Sequence, residues 1–269
     1  MQKKRWIEVV FILLCFALFG CGKTEKEEKG TQKDPSLPDA QPSEEPTLTQ
    51  DALKQYQFRL PQQGDTVAEF VISDFGSIFV KLFPEDAPLA VENFVTHAKE
   101  GYYDETSFHR IIDDFMIQGG IPKESSNGGE SIWKEAFEDE FSKQLNPFRG
   151  ALCMANHGAN TNGSQFFLVQ ADANSIMELK YLLEEGQDMT LQDYLENQYG
   201  ILLSDKLIEQ YITYGGTPWL TGYHTVFGQI FEGFDVLDKI AAVPVFGDQP
   251  LEPVVIETIR IIQWEVSTE

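Results

Sequence analysis

The stretch "SFHRIIDDFMIQGG", Ser107 to Gly120, sets Arg110 among aromatic and aliphatic residues and follows it with Phe115, Met116 and Gln118. A guanidinium keeps its charge at any working pH and carries five N–H donors in a rigid planar fork. Beside apolar side chains it becomes a fixed donor at a surface that excludes water, where electrostatic interactions are strengthened. Two further stretches carry similar mixtures. "MANHGANTNGSQFF" contributes Ala155, Asn156, Gln165 and Phe167, and "PWLTGYHTVFG" contributes Trp219, Leu220 and His224. The residues for several other chemistries are poorly arranged. The 4 histidines show no HExxH or paired-ligand spacing, so no metal is expected, and nothing calls for a cofactor. Cys153 lies in the apolar run "ALCMAN" and reads as a small hydrophobe in a strand rather than a nucleophile. The sequon at Asn162 reads as turn chemistry.

These residues need elements to hold them. "VAEFVIS" and "SIFVKLF" are β-rich runs around the turn signals Asp74 and Gly76, which predicts a hairpin. Pro88 opens "PLAVENFVTHAKEG", where Ala90, Phe94, Val95 and Ala98 fall at helical spacing and Gly101 supplies the stop. "SFHRII", "FMIQGG", "ALCMAN", "QFFLVQ" and "TVFGQIF" are short β-type runs, followed by a helix in "FDVLDKIAAV" and a final strand in "VVIETIRIIQWEV". The pattern predicts a mainly β fold, a closed antiparallel barrel with two flanking helices. From about residue 173 to 216 the pattern turns helical, with Leu191, Tyr194 and Leu195, then Leu203, Leu207 and Tyr211, recurring at three and four. A helical subdomain inserted between two strands is expected. Its apolar stripe packs on itself and the barrel, with a partner groove as the alternative.

The chain of 269 residues has ample length for one such domain with appendages. A net charge of -23 excludes the clustered Lys and Arg that nucleic acid requires and disfavours anionic membrane surfaces. Lys3, Lys4 and Arg5 precede an apolar run too short to span a bilayer comfortably, a signal-peptide pattern over residues 1–20. The run ends "LFGC", similar to a bacterial lipobox with Cys21 as the lipidated residue, although Phe19 is bulkier than that pattern favours. The alternative is a plain N-terminal anchor with Cys21 unmodified. Either way the bulk of the chain is expected outside the cytoplasm, held at the outer face of the bacterial cytoplasmic membrane. Residues 22–57, rich in Glu, Lys, Pro, Ser and Gln, read as a disordered tether, and folding is expected from Phe58. With Cys15 in the signal and Cys21 lipidated, Cys153 has no intramolecular partner. A tethered free barrel is expected to be a monomer.

In order and spacing, the three stretches resemble the cyclophilins, the barrel family of peptidyl-prolyl cis/trans isomerases, from about Val67 to Val266 apart from the insertion. The resemblance implies an eight-stranded barrel and assigns roles by position. Arg110 takes the place of the catalytic arginine, with Gln118 to position it and the substrate. Asn156 and Ala155 contact the substrate backbone, Gln165 and Phe167 form a polar and an apolar wall, and Phe115, Met116, Leu220 and His224 complete a proline pocket. Trp219 implies that a cyclosporin-type ligand could bind. Asp113 and Asp114 depart from the usual Pro-Gly pair, His157 replaces a small residue, and "IPKESS" is shorter than usual before the glycine loop "NGGESIW". These departures put outer subsite preferences in question, not the catalytic positions.

The implied reaction fits the residue types. Rotation about an X-Pro bond must break amide resonance, with a barrier of about 18 to 20 kcal/mol. Raising a rate of about 0.01 per second to about 1,000 per second takes roughly 7 kcal/mol of differential stabilisation. The twisted amide nitrogen regains its lone pair, so a fixed guanidinium donor favours the twisted state over either planar form. Two functions follow as expectations: an isomerase for X-Pro bonds of unfolded or exported polypeptides, or a module that binds proline segments or a partner with incidental catalysis. The insertion, flanked on both sides by pocket residues, is expected to border the substrate groove.

Overall fold

The computed structural model describes residues 56–122 and 128–265. The signal peptide, Cys21 and most of the tether lie outside the described residues. The fold begins two residues before the expected Phe58. Gln57 is 1% exposed, its amide donating to Asn146 O and Gln229 Oε1, and Tyr56 stacks on Phe83. A buried amide with both partners satisfied belongs to the packed domain rather than to a tether.

Strands β1 (Thr66–Ile72) and β2 (Gly76–Leu82) form the expected hairpin, with Asp74 at φ 65° and Gly76 at φ 113° making the turn. Helix α1 (Pro88–Lys99) starts on proline, whose fixed φ suits a first helical position, and buries Ala90, Val91, Phe94 and Ala98. The Glu140 carboxylate accepts from the N–H groups of Leu89 and Ala90 at 3.0 and 2.9 Å, supplying the cap that Ala87 cannot. There follow β3 (Thr106–Phe108), β4 (Arg110–Ile112), β5 (Met116–Gly119), β6 (Ala151–Met154) and β7 (Phe166–Val169). After the insertion come β8 (Val226–Glu232), helix α5 (Phe234–Ala241), a small hairpin of β9 (Val245–Phe246) and β10 (Gln249–Pro250), and β11 (Val254–Gln263).

The main sheet runs β3-β11-β1-β2-β8-β6-β7-β5-β4 and is antiparallel throughout. Its two end strands are consecutive in the chain and joined by His109 alone, so the sheet closes on itself. The mainly β barrel is as expected, but among the described residues it has nine strands rather than eight. The run Thr106–Ile112 is divided at His109, with β3 pairing to β11 and β4 to β5. Taken as one bent strand, β3 and β4 restore eight around the barrel. Phe70, Phe94 and Phe166 meet inside it with ring centroids 5.6 to 5.8 Å apart.

The insertion forms three helices, α2 (Ala173–Gln187), α3 (Leu191–Tyr199) and α4 (Asp205–Tyr214). Each has a side-chain N-cap, from Asp172, Thr190 and Ser204 respectively, and Thr190 forms a reciprocal capping box with Asp193. Of the apolar stripe, Leu191, Leu195 and Tyr211 are buried. The return to the barrel is tight: Gly216 N–H donates to Ala171 O and Thr217 N–H to Pro147 O, at 2.9 and 2.8 Å. Gly216 has φ 122°, and a Cβ there would stand 2.4 Å from Pro147 O and 2.6 Å from Phe148 Cα. Both contacts are backbone and cannot swing aside. Gly216→Ala is therefore expected to cost about 3 kcal/mol, combining a glycine-only conformation with a backbone clash. The denaturant midpoint at unchanged m-value measures it, and a loss under about 1 kcal/mol would refute the clash.

Candidate functional site

Successive side chains on a strand point to opposite faces, so each barrel strand carries one set inward and another outward. Ile111, Ile117, Leu168 and Leu152 go inward to the core. Their neighbours Arg110, Gln118, Phe167 and Cys153 go outward, and the register aligns them: Arg110 opposite Gln118, Gln118 opposite Phe167, Phe167 opposite Cys153. A row across four strands thus runs from a cation through an amide to an aromatic floor. Ile112, Met116 and Val169 form a parallel row. Met116, Cys153, Phe167 and Val226 are buried in one outer cluster, with Phe115, Ala155 and Leu220 packed partly buried against it. Burial drives the Cys153 thiol well above its ordinary pKa, leaving it part of the floor.

The walls come from loops. Trp219 and Leu220 sit on a 3₁₀ turn, Pro218–Leu220, with the Trp219 ring 6.0 Å from that of Phe115. His224 stands edge-on to Phe167 at 5.2 Å. Its Nδ1 lies 3.0 Å from Met154 O, an acceptor only, so Nδ1 carries the proton and Nε2 is the ring's acceptor. The Asn156 side-chain amide is engaged within the loops, donating to Tyr223 O at 3.0 Å and to Asp139 Oδ1 at 3.3 Å. What Asn156 can offer a peptide is its main chain.

Two relations differ from expectation. Gln118 Nε2 donates to Gln165 Oε1 at 3.0 Å, and Gln165 Nε2 to Gly128 O at 2.7 Å, a relay toward the glycine loop rather than to Arg110. Arg110 is held instead through Nε by Asp248 Oδ2 at 2.8 Å, while Asp248 O accepts from Ile111 N–H at 2.7 Å. Asp248 occupies the turn between β9 and β10 and lies 138 residues from Arg110. Sequence reasoning missed it, because "FGDQP" offers only a turn signal. Binding at Nε fixes the fork while using one of its five donors.

The insertion touches the site's border at three places. Ser175 Oγ, in the first turn of α2, donates to Asp114 Oδ1 in the β4–β5 turn at 3.1 Å. Tyr211 and Thr221 hydroxyls share a hydrogen bond of 2.7 Å beside the 3₁₀ turn, and Tyr223 Oη donates to Tyr199 O at 2.7 Å. Asp114 adopts φ 60°, a conformation Asp tolerates, which accounts for how the Asp113–Asp114 pair can stand where Pro-Gly is usual.

His97, His109 and His224 all have pKa values below the usual 6.5, in each case chiefly because burial disfavours the imidazolium. Below pH 6.5 the unfolded chain takes up protons at these positions that the folded chain resists. Their contribution to stability is therefore complete above 6.5 and declines as the pH falls through the lowered folded values. From pH 7 to 5, below the range in which Lys81, its pKa lowered by burial to about 8, changes charge in the folded chain, these rings should make the thermal midpoint fall as the pH falls. His224→Gln should shrink the part of the acid-side loss that this ring contributes, and an unchanged pH slope would contradict its burial.

Comparison with known proteins bears on this arrangement. Residues 67–183 and 205–261 match the family model for cyclophilin-type peptidyl-prolyl cis-trans isomerases, and the chain belongs to that family. The residues between the two matched segments lie within the insertion. A relative from Staphylococcus saprophyticus, provisionally named a peptidyl-prolyl cis-trans isomerase, is 44% identical over 74% of this chain and 94% of its own. One of the same name from Staphylococcus epidermidis is 48% identical over 74% and 93%. A solved cyclophilin of Cryptosporidium parvum aligns with TM-score 0.55 and 28% identity, covering 75% of this chain and 99% of its own. The same protein in the presence of the dipeptide Ala-Pro aligns with TM-score 0.54 over 73% and 98%. The chain is a cyclophilin-type peptidyl-prolyl cis/trans isomerase.

Proposed function

We propose that the outer face of β4, β5 and β7 binds the X-Pro segment of exported polypeptides and that Arg110 is the principal catalytic group. The in-register row of Arg110, Gln118 and Phe167 carries this reading, since it sets a fixed donor one strand spacing at a time from an apolar floor. The proline ring lies on Phe167 and Met116, walled by Phe115, Leu220 and His224. Ala155 and Asn156 hold the peptide backbone, and Gln118 with Gln165 closes the polar side. As the amide twists, its nitrogen becomes an acceptor, and the guanidinium stabilises that state selectively. No bond to the enzyme forms, and no proton need leave the substrate. Trp219, beside Phe115, makes a cyclosporin-type ligand a second candidate occupant.

The signal-like N-terminus with Cys21 supports export and lipid anchoring at the outer face of the cytoplasmic membrane, and on that reading the task is the folding of exported chains. Exchange spectroscopy on an Ala-Pro peptide, with the full chain at micromolar concentration, tests the activity. Exchange far above the thermal rate of about 0.01 per second is expected, and none above it would leave a proline-binding module. For the anchor, Cys21→Ser should move the chain out of the membrane fraction and abolish fatty-acid labelling. Identical fractionation of both forms would overturn lipidation.

A further inference from the structure

Beyond the proline pocket a groove of about 440 Å³ opens, lined among others by Phe141, Asn156, Tyr199, Trp219, Tyr223 and His224. It is continuous with the site, since Asn156, Trp219 and His224 border both. It is also partly the insertion's work, because Tyr199 ends α3 and the Tyr223 hydroxyl fastens to Tyr199 O at 2.7 Å. The Tyr199 ring is itself held edge to face by Tyr194, with centroids 5.9 Å apart.

The lining chemistry selects among occupants. Phe141 and Tyr223 are 56% and 50% exposed, so two aromatic side chains of the lining stand open to solvent. Among the described residues Asp139 is the one carboxylate in the lining, and its oxygens are already engaged. Oδ1 accepts from Asn162 Nδ2 at 2.8 Å and Asn156 Nδ2 at 3.3 Å, and Oδ2 from Asn160 N–H at 2.7 Å. A basic side chain would have to compete with those bonds, whereas an aromatic one would cover exposed rings in offset or edge-on contact.

We propose that this groove is a specificity subsite, built jointly by the barrel loops and the helical insertion, for an aromatic side chain of the same polypeptide whose X-Pro bond occupies the neighbouring pocket. The proposal rests on the isomerase reading for the placement of the proline, and it extends that reading to which prolyl bonds are preferred. A substrate residue entering the groove is anchored to the reacting bond by the shared Asn156 and His224, so the subsite acts on one flank of the proline and not the other.

The test uses the full chain and Xaa-Pro peptides carrying Ala, Phe or Lys at each of three positions on either side of the proline. Exchange spectroscopy gives kcat/KM, and calorimetric titration gives Kd. At a position on one flank, Phe should improve both over Ala by roughly tenfold, the gain expected for burying most of an aromatic ring. Phe141→Ala and Tyr223→Ala, at exposed positions that leave the core intact, should each shrink that ratio, and the double variant should bring it to within about twofold. Arg110→Ala should lower turnover by about a hundredfold or more yet preserve the Kd ratio. A wild-type chain that turns over no peptide would sink the isomerase reading, while its Kd ratios would still decide the subsite. Equal Kd values for Ala and Phe peptides at every position would overturn the subsite. So would a preference surviving the double variant, or a stronger preference for Lys, which would assign the groove to Asp139.

Discussion

Arg110→Ala is expected to lower kcat/KM on an X-Pro peptide by about a hundredfold to a thousandfold, the usual cost of removing one preorganised donor from a developing charge. The loss should fall on kcat, with KM little changed, because the guanidinium is asked to bind the twisted amide and not the planar one. Stability should barely move. The Arg110 side chain is 40% exposed and its partner Asp248 48%, and exposed ion pairs contribute at most about 1 kcal/mol. Arg110→Lys keeps the charge without the fork and should recover only a small part of the rate.

Asp248 gives the same prediction a second arm. Its bond to Nε sets the direction of the fork, so Asp248→Ala should lower kcat by about tenfold, the penalty of a misaimed group rather than a missing one. Asp248→Asn, which can still accept at Oδ1, should restore part of the rate. In the double variant with Arg110→Ala the second substitution should cost nothing further, since the two residues act as one unit. An Arg110→Ala enzyme retaining more than a tenth of its kcat/KM would remove Arg110 from the principal role.

The distribution of what could be read from the sequence has a physical basis. Local signals were legible because they are made by neighbours in the chain: the Asp74-Gly76 turn, proline at the head of α1, and the helical period of the insertion. The outward row of Arg110, Gln118 and Phe167 needed the register to be seen, because "QFFLVQ" is apolar at four successive positions and shows no alternation that would tell its two faces apart. The partner of Arg110 was hidden because it arrives from a two-residue strand and a turn 138 positions away. The strand count differed because one extended run divides its hydrogen bonds between opposite ends of the sheet, which no periodicity records. Gln57 read as tether by composition, and it is its pairing with Gln229 and Asn146, distant in the chain, that buries it.

Tyr211→Ala should be among the most destabilising substitutions in the chain, at about 3 to 5 kcal/mol. Tyr211 is 0% exposed, and its ring lies 4.7 Å from that of Phe148, which precedes strand β6. Truncation would open a cavity where α4 meets the barrel, and the flanking backbone at Gly216 and Thr217 is too closely bonded to Ala171 and Pro147 to collapse into it. Tyr211→Phe separates packing from the hydroxyl. It keeps the ring and removes only the bond to Thr221 Oγ1, so about 1 kcal/mol is expected. Thr221 follows the turn that carries Trp219 and Leu220, and loosening it should raise KM more than it lowers kcat, the signature of a binding wall rather than a reacting group. Chemical denaturation gives the two stabilities and peptide kinetics the split. A Tyr211→Ala protein losing less than about 1 kcal/mol would mean that the three helices fold as an appendage; a loss in the expected range makes the insertion a structural wall of the isomerase site itself.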